Sequence, residues 1–387
     1  MRIIVLGYII RGPIGGMAWH HLQYVLGLKE LGHDVYFFED SDDYPSCYDP
    51  TTNSTKIDPS YGLEFASYTF KSVGLAEKWT YYDAHTQTWF GPVADRALEI
   101  CISADLLLNI SGVNPLRDWF DRIPMRVLID TDPAFLQIRH LQDKNARQMA
   151  ARHTAFLSFG GNVGGAASLP DDGFTWLPTR QPIVLRSWPV VAGPSRGKFT
   201  TVMQWESYPP AVHEGRIFGT KSMSFEPYED LPQKAPTAFK LAIGNPASHL
   251  LALGWSLCDP LEVTKDIWSY QSFIKESKAE FSVAKHGYIV SRSGWFSERS
   301  ANYLASGRPV VVQNTGFTDW LPSGEGILAF SNPDEALAGI EEINAHYEIH
   351  CDSARQIAEA YFDSDKVLTL LIAAASAKRS KTKSEMT

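Results

Sequence analysis

The segment Ser293-Gly294-Trp295-Phe296-Ser297-Glu298-Arg299-Ser300 carries the densest potential for chemistry. A small-residue loop there opens a helix, and the free N–H groups of a helix start suit a pyrophosphate. Ser297 is the expected N-cap. Glu298 and Asn302 stand i, i+4 on one helix face, so one can hold ribose hydroxyls while the other reaches a sugar. Lys285 and Arg292 flank the loop and, with Arg299, can neutralise phosphate charge. A second group, Gln204-Trp205-Glu206-Ser207, falls where a strand should end, and a Trp beside a Glu suits a flat polar ligand. Lys221 follows Gly215-Arg216 and Gly219 and is placed to meet a phosphate. Nearer the start, Gly12-Pro13-Ile14-Gly15-Gly16 precedes His20 and His21. Glycines let the backbone come close to a ligand, and the helix after them offers its positive dipole end. The two histidines are not both expected to face the core. One can point into a cleft, as a base or a hydrogen-bond donor. Asp130-Thr131-Asp132-Pro133 has three open readings: a divalent-metal ligand pair, a partner that orients a histidine, or a turn.

The elements that must position these residues alternate between strand and helix. RIIVLG at 2–7 is a buried parallel strand by composition, and MAWHHLQYVLGLKELG after the glycine loop is a helix with Gly32 closing it. DVYFFED, DLLLNI (105–110), RVLIDTD (126–132) and AFLSFGG (155–161) continue a first sheet. Residues 41–63 read as a long loop. KFTTVMQW, FKLAIGN (239–245) and RPVVVQ (308–313) begin a second series, separated by helical patterns at 297–306 and 334–347. VAGPSRGK (191–198) is the expected linker. The pattern predicts an α/β chain of two Rossmann-like halves, with ligands at the carboxyl ends of the strands.

Composition narrows the classes. The chain has 387 residues, 44% hydrophobic and 20% charged, enough for two cores. Its net charge of −9 argues against a nucleic-acid partner. Four cysteines, at 47, 101, 258 and 351, are too scattered for a zinc site or disulfide scaffold, and the expected location is cytoplasmic. No apolar run reaches the ~20 residues of a membrane span. The glycines do not follow G-x-G-x-x-G, which disfavours a nicotinamide oxidoreductase. Eleven Trp is a high count, and Trp19, Trp205 and Trp295 lie beside the proposed loops, where they can stack on sugar or base.

At these residues the chain resembles the GT-B superfamily of nucleotide-sugar-dependent glycosyltransferases, nearest the retaining group with a Gly-Gly loop and an E-x7-E motif. Gly15-Gly16-Met17-Ala18-Trp19-His20 keeps that group's G-G-x-x-x-H spacing, and Gly32-His33 its later G-H. Gly294 through Ile340 follows its order of elements, and Leu304-Ala305-Ser306-Gly307-Arg308-Pro309-Val310-Val311 is the nearest match. The motif is degenerate: its two carboxylate positions fall on Gly294 and Asn302, with Glu298 between them. Gly173 to Trp188 looks like part of a poorly characterised branch of such enzymes.

The resemblance implies two Rossmann-like doubly wound domains facing a cleft. Residues 1–190 would take the acceptor and 191–352 the nucleotide sugar, with a helix of about 353–375 returning to the first domain and a disordered tail at 377–387. It implies metal-independent transfer of a hexosyl or related sugar from a nucleotide-diphosphate sugar to an unknown acceptor, with no further cofactor. Helix N–H groups at Ser297–Arg299, with Lys221, Lys285 or Arg292, would stabilise the leaving diphosphate. His20, partnered by Asp130 or Asp132, would contact the reacting sugar or activate the acceptor. Rival readings are an epimerase of the same fold, a single-sheet metal-dependent transferase using Asp130 and Asp132, and a non-catalytic binding member.

Overall fold

Apolar runs bounded by glycine become interior parallel strands when both of their faces are covered. Ile3, Ile4 and Val5 are fully buried in this way within the strand Arg2–Leu6. The computed structural model describes residues 1–42, 47–235, 238–244 and 248–385, with side chains as far as Ala377.

The first sheet has eight strands. Across it lie Trp176–Pro178, Ala155–Ser158, Met125–Asp130, Leu106–Ile110, Arg2–Leu6, Asp34–Asp40, Trp79–Asp83 and Thr88–Phe90. Only the edge strand Thr88–Phe90 runs antiparallel to its neighbour. The second sheet is parallel throughout: Leu257–Cys258, Phe239–Gly244, Phe199–Gln204, Ala279–Ser282, Val310–Gln313, Ile327–Phe330. With the two edge strands Thr88–Phe90 and Trp176–Pro178 left out of the first sheet, the six strands of each half, numbered along the chain, take the order 3-2-1-4-5-6. That is the doubly wound Rossmann order, whose switch point lies between strands 1 and 4. The switch points are therefore Arg2–Leu6 beside Leu106–Ile110, and Phe199–Gln204 beside Ala279–Ser282.

The halves are interlocked. One apolar cluster contains Ile3, Val25 and Leu108 of the first half together with Phe296, Tyr303 and Val310 of the second. The first helix, Gly15–Glu30, packs on the helix Ile267–Glu276, and Trp19 donates from Nε1 to the Ile267 carbonyl at 2.8 Å. The C-terminal region forms two helices, Tyr347–Tyr361 and Ser364–Glu385. The second lies against the first helix, where a Cβ on Gly27 would meet Leu368 at 2.6 Å. Backbone expected as a disordered tail from Ala377 is helical as far as Glu385.

The segment 41–63 differs from the loop expectation. Within 41–63 there is a small antiparallel pair, Cys47–Asp49 with Ser54–Lys56, and a helix beginning at Ser60; residues 43–46 lie outside the described residues. Between the first strand of the second half and Lys221 stands a hairpin, Ala211–His213 with Arg216–Phe218. Its tip, Glu214 and Gly215, has φ of 49° and 76°, the positive values of a tight hairpin turn. The hairpin leans on the first half, where Gln142 Nε2 donates to the Val212 carbonyl at 2.8 Å.

Candidate functional site

Basic groups converge at the switch point of the second sheet. Lys221 opens the short helix after the hairpin and is half-buried, with no hydrogen bond or ion pair among the described residues. Burial, then the nearby charges of Arg299 and Lys285, hold its amine well below the usual lysine range, against the pull of Glu280 and Glu298. An anion there would relieve both penalties. Trp205 fixes this turn, since its carbonyl accepts from Ser222 N at 3.2 Å. Its indole packs on Phe225 and His249, with centroids at 5.1 and 5.9 Å. Glu206 beside it is exposed. The helix Glu298–Ala305 starts nearby, capped as expected by Ser297 Oγ, which accepts from Arg299 N at 3.2 Å.

Lys285 ties the two halves together. Its Nζ lies 3.0 and 3.1 Å from the Asp132 carboxylate oxygens and 2.6 Å from Tyr208 Oη. Tyr208 donates to Asp132 at 2.5 Å, and Tyr288 donates to the other carboxylate oxygen. The ammonium also stands over the rings of Phe135, Tyr208 and Tyr288. Asp132 is thus a partner of the phosphate-binding candidate rather than of a histidine.

His20 lines a separate recess of ≈ 190 Å³ (open mouth included) with Gln23, Tyr24, Gln181, Pro182, Ile183, Glu298 and Asn302. Three residues singled out in the sequence therefore meet here: His20, Glu298 and Asn302. The His20 ring touches His21, Tyr24 and Phe159 edge-on. Burial lowers its pKa, with Glu298 opposing, so the imidazole is neutral near pH 7. Asn302 Oδ1 accepts from Gln23 Nε2 at 3.1 Å, and Gln23 Oε1 accepts from Val184 N at 2.7 Å. A further recess, ≈ 250 Å³ with its mouth, lies beneath the loop 295–300, against Ser282, Val312 and Gln313 at the ends of two strands.

Both positions at which the resemblance would set carboxylates are tightly held in the structure. Gly294 has φ of 74°, and a Cβ there would lie 2.8 Å from Asn162 N and Cγ. A Glu at 294 would be strained by its backbone and would clash unless Asn162 shifted. Position 302 is sealed in the amide pair with Gln23.

Other candidates serve the fold. Asp130 is fully buried; it accepts from Asp132 N (2.8 Å), Gln137 Nε2 (3.0 Å) and Ser158 Oγ (2.7 Å). Burial pushes its carboxyl up to about 6, against those bonds. It shapes the turn, and no contact joins it to His20. Of the two histidines, His20 faces the recess and His21 is buried in the fold, accepting from Tyr8 N at 3.2 Å and bonding the Met17 carbonyl at 2.9 Å. Gly15 and Gly16 abut Asp266 and Tyr270 of the second half. Arg299 is buried, with its guanidinium on Glu280 (2.6 Å), the Val202 carbonyl (2.7 Å) and Ser282 Oγ (2.6 Å). Arg292, at φ 47°, pairs with Asp319 on the surface. One indole face of Trp295 is covered by Tyr288, 4.4 Å away, and its Nε1 donates to the Thr131 carbonyl at 3.2 Å.

The sequence reading missed Gln23 and Tyr24. They follow His20 by three and four residues, so they share its helix face and were within reach of the periodicity. Tyr208 and Tyr288 carry no such signal. Glu39 was also missed. Its carboxylate accepts from Ile9, Ile10 and Arg11 N–H at 2.6, 2.8 and 2.7 Å, engaging the groups that a phosphate would need after the first strand. Among the described residues no three or more His, Cys, Asp or Glu are grouped to hold a metal ion. No helix among them is long and apolar enough to cross a membrane.

No family model and no curated protein sequence matches the chain. Solved structures do match, at low identity. An alpha-glucosyltransferase in complex with UDP and a 13-mer DNA containing an HMU base has a TM-score of 0.59 and 12% identity, covering 97% of this chain and 99% of that one. HepE of Anabaena, in complex with UDP, has a TM-score of 0.56 and 10% identity, covering 97% and 100%. Sucrose-phosphate synthase from Thermosynechococcus elongatus has a TM-score of 0.51 and 11% identity, covering 96% and 97%. The fold is therefore GT-B: α/β, with two Rossmann-like doubly wound domains facing a cleft. A single-sheet architecture is excluded. The exclusion of a nucleic-acid partner from net charge is overturned, since structures of this fold include complexes with DNA. Net charge averages over the whole surface, whereas contact is decided by the local field.

Proposed function

We propose that the chain is a glycosyltransferase that moves a sugar from a nucleotide-diphosphate sugar to an acceptor hydroxyl. The observation that carries this is the convergence, at the second switch point, of the unpaired Lys221, Lys285 and the start of the helix Glu298–Ala305, beside the recess holding His20. The donor sits on residues 191–352 and the acceptor on the side of residues 1–190. The bond that breaks joins the sugar to the diphosphate, so negative charge grows on the leaving phosphate oxygen. Lys221 is placed to meet that charge, and Lys285 can join it by exchanging Asp132 for phosphate. The helix start adds its positive end. With two lysines in that role, the reading needs neither a divalent cation nor a further cofactor. His20, neutral, contacts the reacting sugar as a hydrogen-bond partner. Four free cysteines fit the reducing cytoplasm. The neighbours crystallised with UDP or UDP-glucose support a nucleotide-sugar donor.

Thermal shift with UDP, GDP, dTDP and ADP tests the donor side. One of the four should stabilise the folded chain selectively. Turnover of the matching nucleotide sugar should then release diphosphate in the presence of an acceptor, from a panel that includes DNA containing an HMU base. Conversion to another nucleotide sugar without acceptor would point to epimerisation instead. The reading fails if no diphosphate binds and no nucleotide sugar is consumed.

A further inference from the structure

The recess around His20 bears on the sugar itself, an inference that rests on the transfer reading above. Tyr24 lines the recess and is 0% exposed, yet its hydroxyl has no hydrogen-bond partner. A buried hydroxyl is costly when unpaired, and most such groups in folded proteins have a partner. Glu298 is half-buried on the same wall, and its carboxylate makes no hydrogen bond or ion pair among the described residues. A carboxylate can only accept. Of the amides around it, Asn302 Oδ1 accepts from Gln23 and Gln181 Nε2 donates to the Phe296 carbonyl. No lysine or arginine lines the recess. Arg299, next in sequence, turns to Glu280 and Ser282. The groups left without a hydrogen bond thus include the Glu298 carboxylate and the Tyr24 hydroxyl, beside the His20 imidazole, while the cationic charges that Glu298 feels, Lys221 and Arg299, stand outside the recess lining.

We propose that this recess selects a neutral, hydroxyl-rich donor sugar and rejects one bearing a carboxylate, with Glu298 setting the choice. Sugar hydroxyls can donate to Glu298 in charge-assisted bonds, which are stronger than neutral ones. A sugar carboxylate in the same place would face a like charge in a partly dehydrated pocket and offer no proton to it. Tyr24 adds one neutral bond to a hydroxyl.

The test compares paired donors that differ only at the sugar: UDP-glucose with UDP-glucuronate, and GDP-mannose with GDP-mannuronate. For the wild type, the neutral member should bind at least tenfold more tightly by calorimetry. Glu298→Gln should narrow that ratio at least fivefold, with affinity for the free diphosphate within twofold of wild type. Tyr24→Phe is the second variant. Removing an unpaired hydroxyl should not unfold the protein, and it should weaken the neutral sugar nucleotide while sparing the free diphosphate. The proposal is overturned if the wild type prefers the uronate or does not discriminate. A folded Glu298→Gln that keeps the full ratio, or a Tyr24→Phe that leaves the neutral sugar unaffected, also overturns it. Failure of the transfer reading looks different: the wild type then binds neither diphosphate nor nucleotide sugar, and this proposal falls with it.

Discussion

Gly15 distinguishes two uses of a glycine loop. If the glycine exists to let a ligand approach, Gly15→Ala should keep the fold and block binding. If it exists for packing, the variant should lose stability. The structure favours packing. A Cβ at Gly15 would lie 2.1 Å from the Asp266 carbonyl oxygen and 2.7 Å from its carbon. Ordinary carbon–oxygen contact is more than about 3 Å, so the two helices must part by about 1 Å. The oxygen cannot swing aside. Asp266 caps the helix Ile267–Glu276, accepting on its carboxylate from Trp268 N and Ser269 N, while its carbonyl accepts from Tyr270 N. Trp19 Nε1 lies 2.8 Å from the Ile267 carbonyl, and parting by that amount would stretch the bond to about 3.8 Å, beyond hydrogen-bond range. Overpacking costs about 1–3 kcal/mol and the lost bond about 1 kcal/mol. The expected destabilisation is about 2–4 kcal/mol. Gly16→Ala is the control. Its Cβ would find its nearest neighbours in the Tyr270 ring, from 3.1 Å, and alanine returns up to about 1 kcal/mol of helix propensity. Urea unfolding, followed by tryptophan fluorescence, should show a clear loss of stability for Gly15→Ala and a shift within about 1 kcal/mol for Gly16→Ala. A Gly15→Ala protein as stable as wild type, but unable to bind nucleotide, would refute the packing argument.

Three more outcomes are expected. Lys221→Ala should weaken diphosphate binding at least tenfold, about 1.4 kcal/mol, without loss of stability, because the amine has no partner in the fold; unchanged affinity by calorimetry would contradict this. Glu280→Ala should cost about 3–5 kcal/mol in denaturant unfolding, because it leaves the buried Arg299 guanidinium without its carboxylate; a loss below about 1 kcal/mol would mean that the Val202 and Ser282 contacts suffice. Burial pushes the Glu39 carboxyl from 4.5 to about 7, against Arg11 and three backbone N–H groups. The folded chain then holds a proton that the unfolded chain has released. Its contribution is full below about pH 4.5 and is lost as pH rises towards 7. Stability measured across that window should fall, and Glu39→Gln should flatten the slope; an identical slope in the variant would exclude Glu39 as its source.

The alternation of apolar runs with helical periodicity made five strands of the first sheet and three of the second legible, because long buried strands are written as local composition; short ones such as Ala279–Ser282 and Leu257–Cys258 were missed. Ser297 was legible for the same reason, since capping is decided within three residues. Long-range pairing was not. Arg299 reads as a phosphate ligand until Glu280, nineteen residues earlier, is seen against it. Gly15 reads as a ligand loop until Asp266 arrives from the other half. His21 looked like a candidate for the cleft, yet its two ring nitrogens are matched by backbone groups of Tyr8 and Met17. In each case the deciding partner is either distant in the chain or a backbone atom, and neither leaves a mark on spacing.

The shared core has a consequence for how this chain can be altered. The boundary near residue 190 divides the path of the chain but not its stability, because Ile3 and Val310 belong to one apolar cluster. Either half made alone would expose the face that the other covers and should aggregate rather than fold. A chimera that takes its second half from another protein of this fold must bring matched surfaces as a set: the Ile267–Glu276 helix for Gly15 and Trp19, and the residue at 302 for Gln23. The proposed donor preference is therefore better changed one side chain at a time than by exchanging modules.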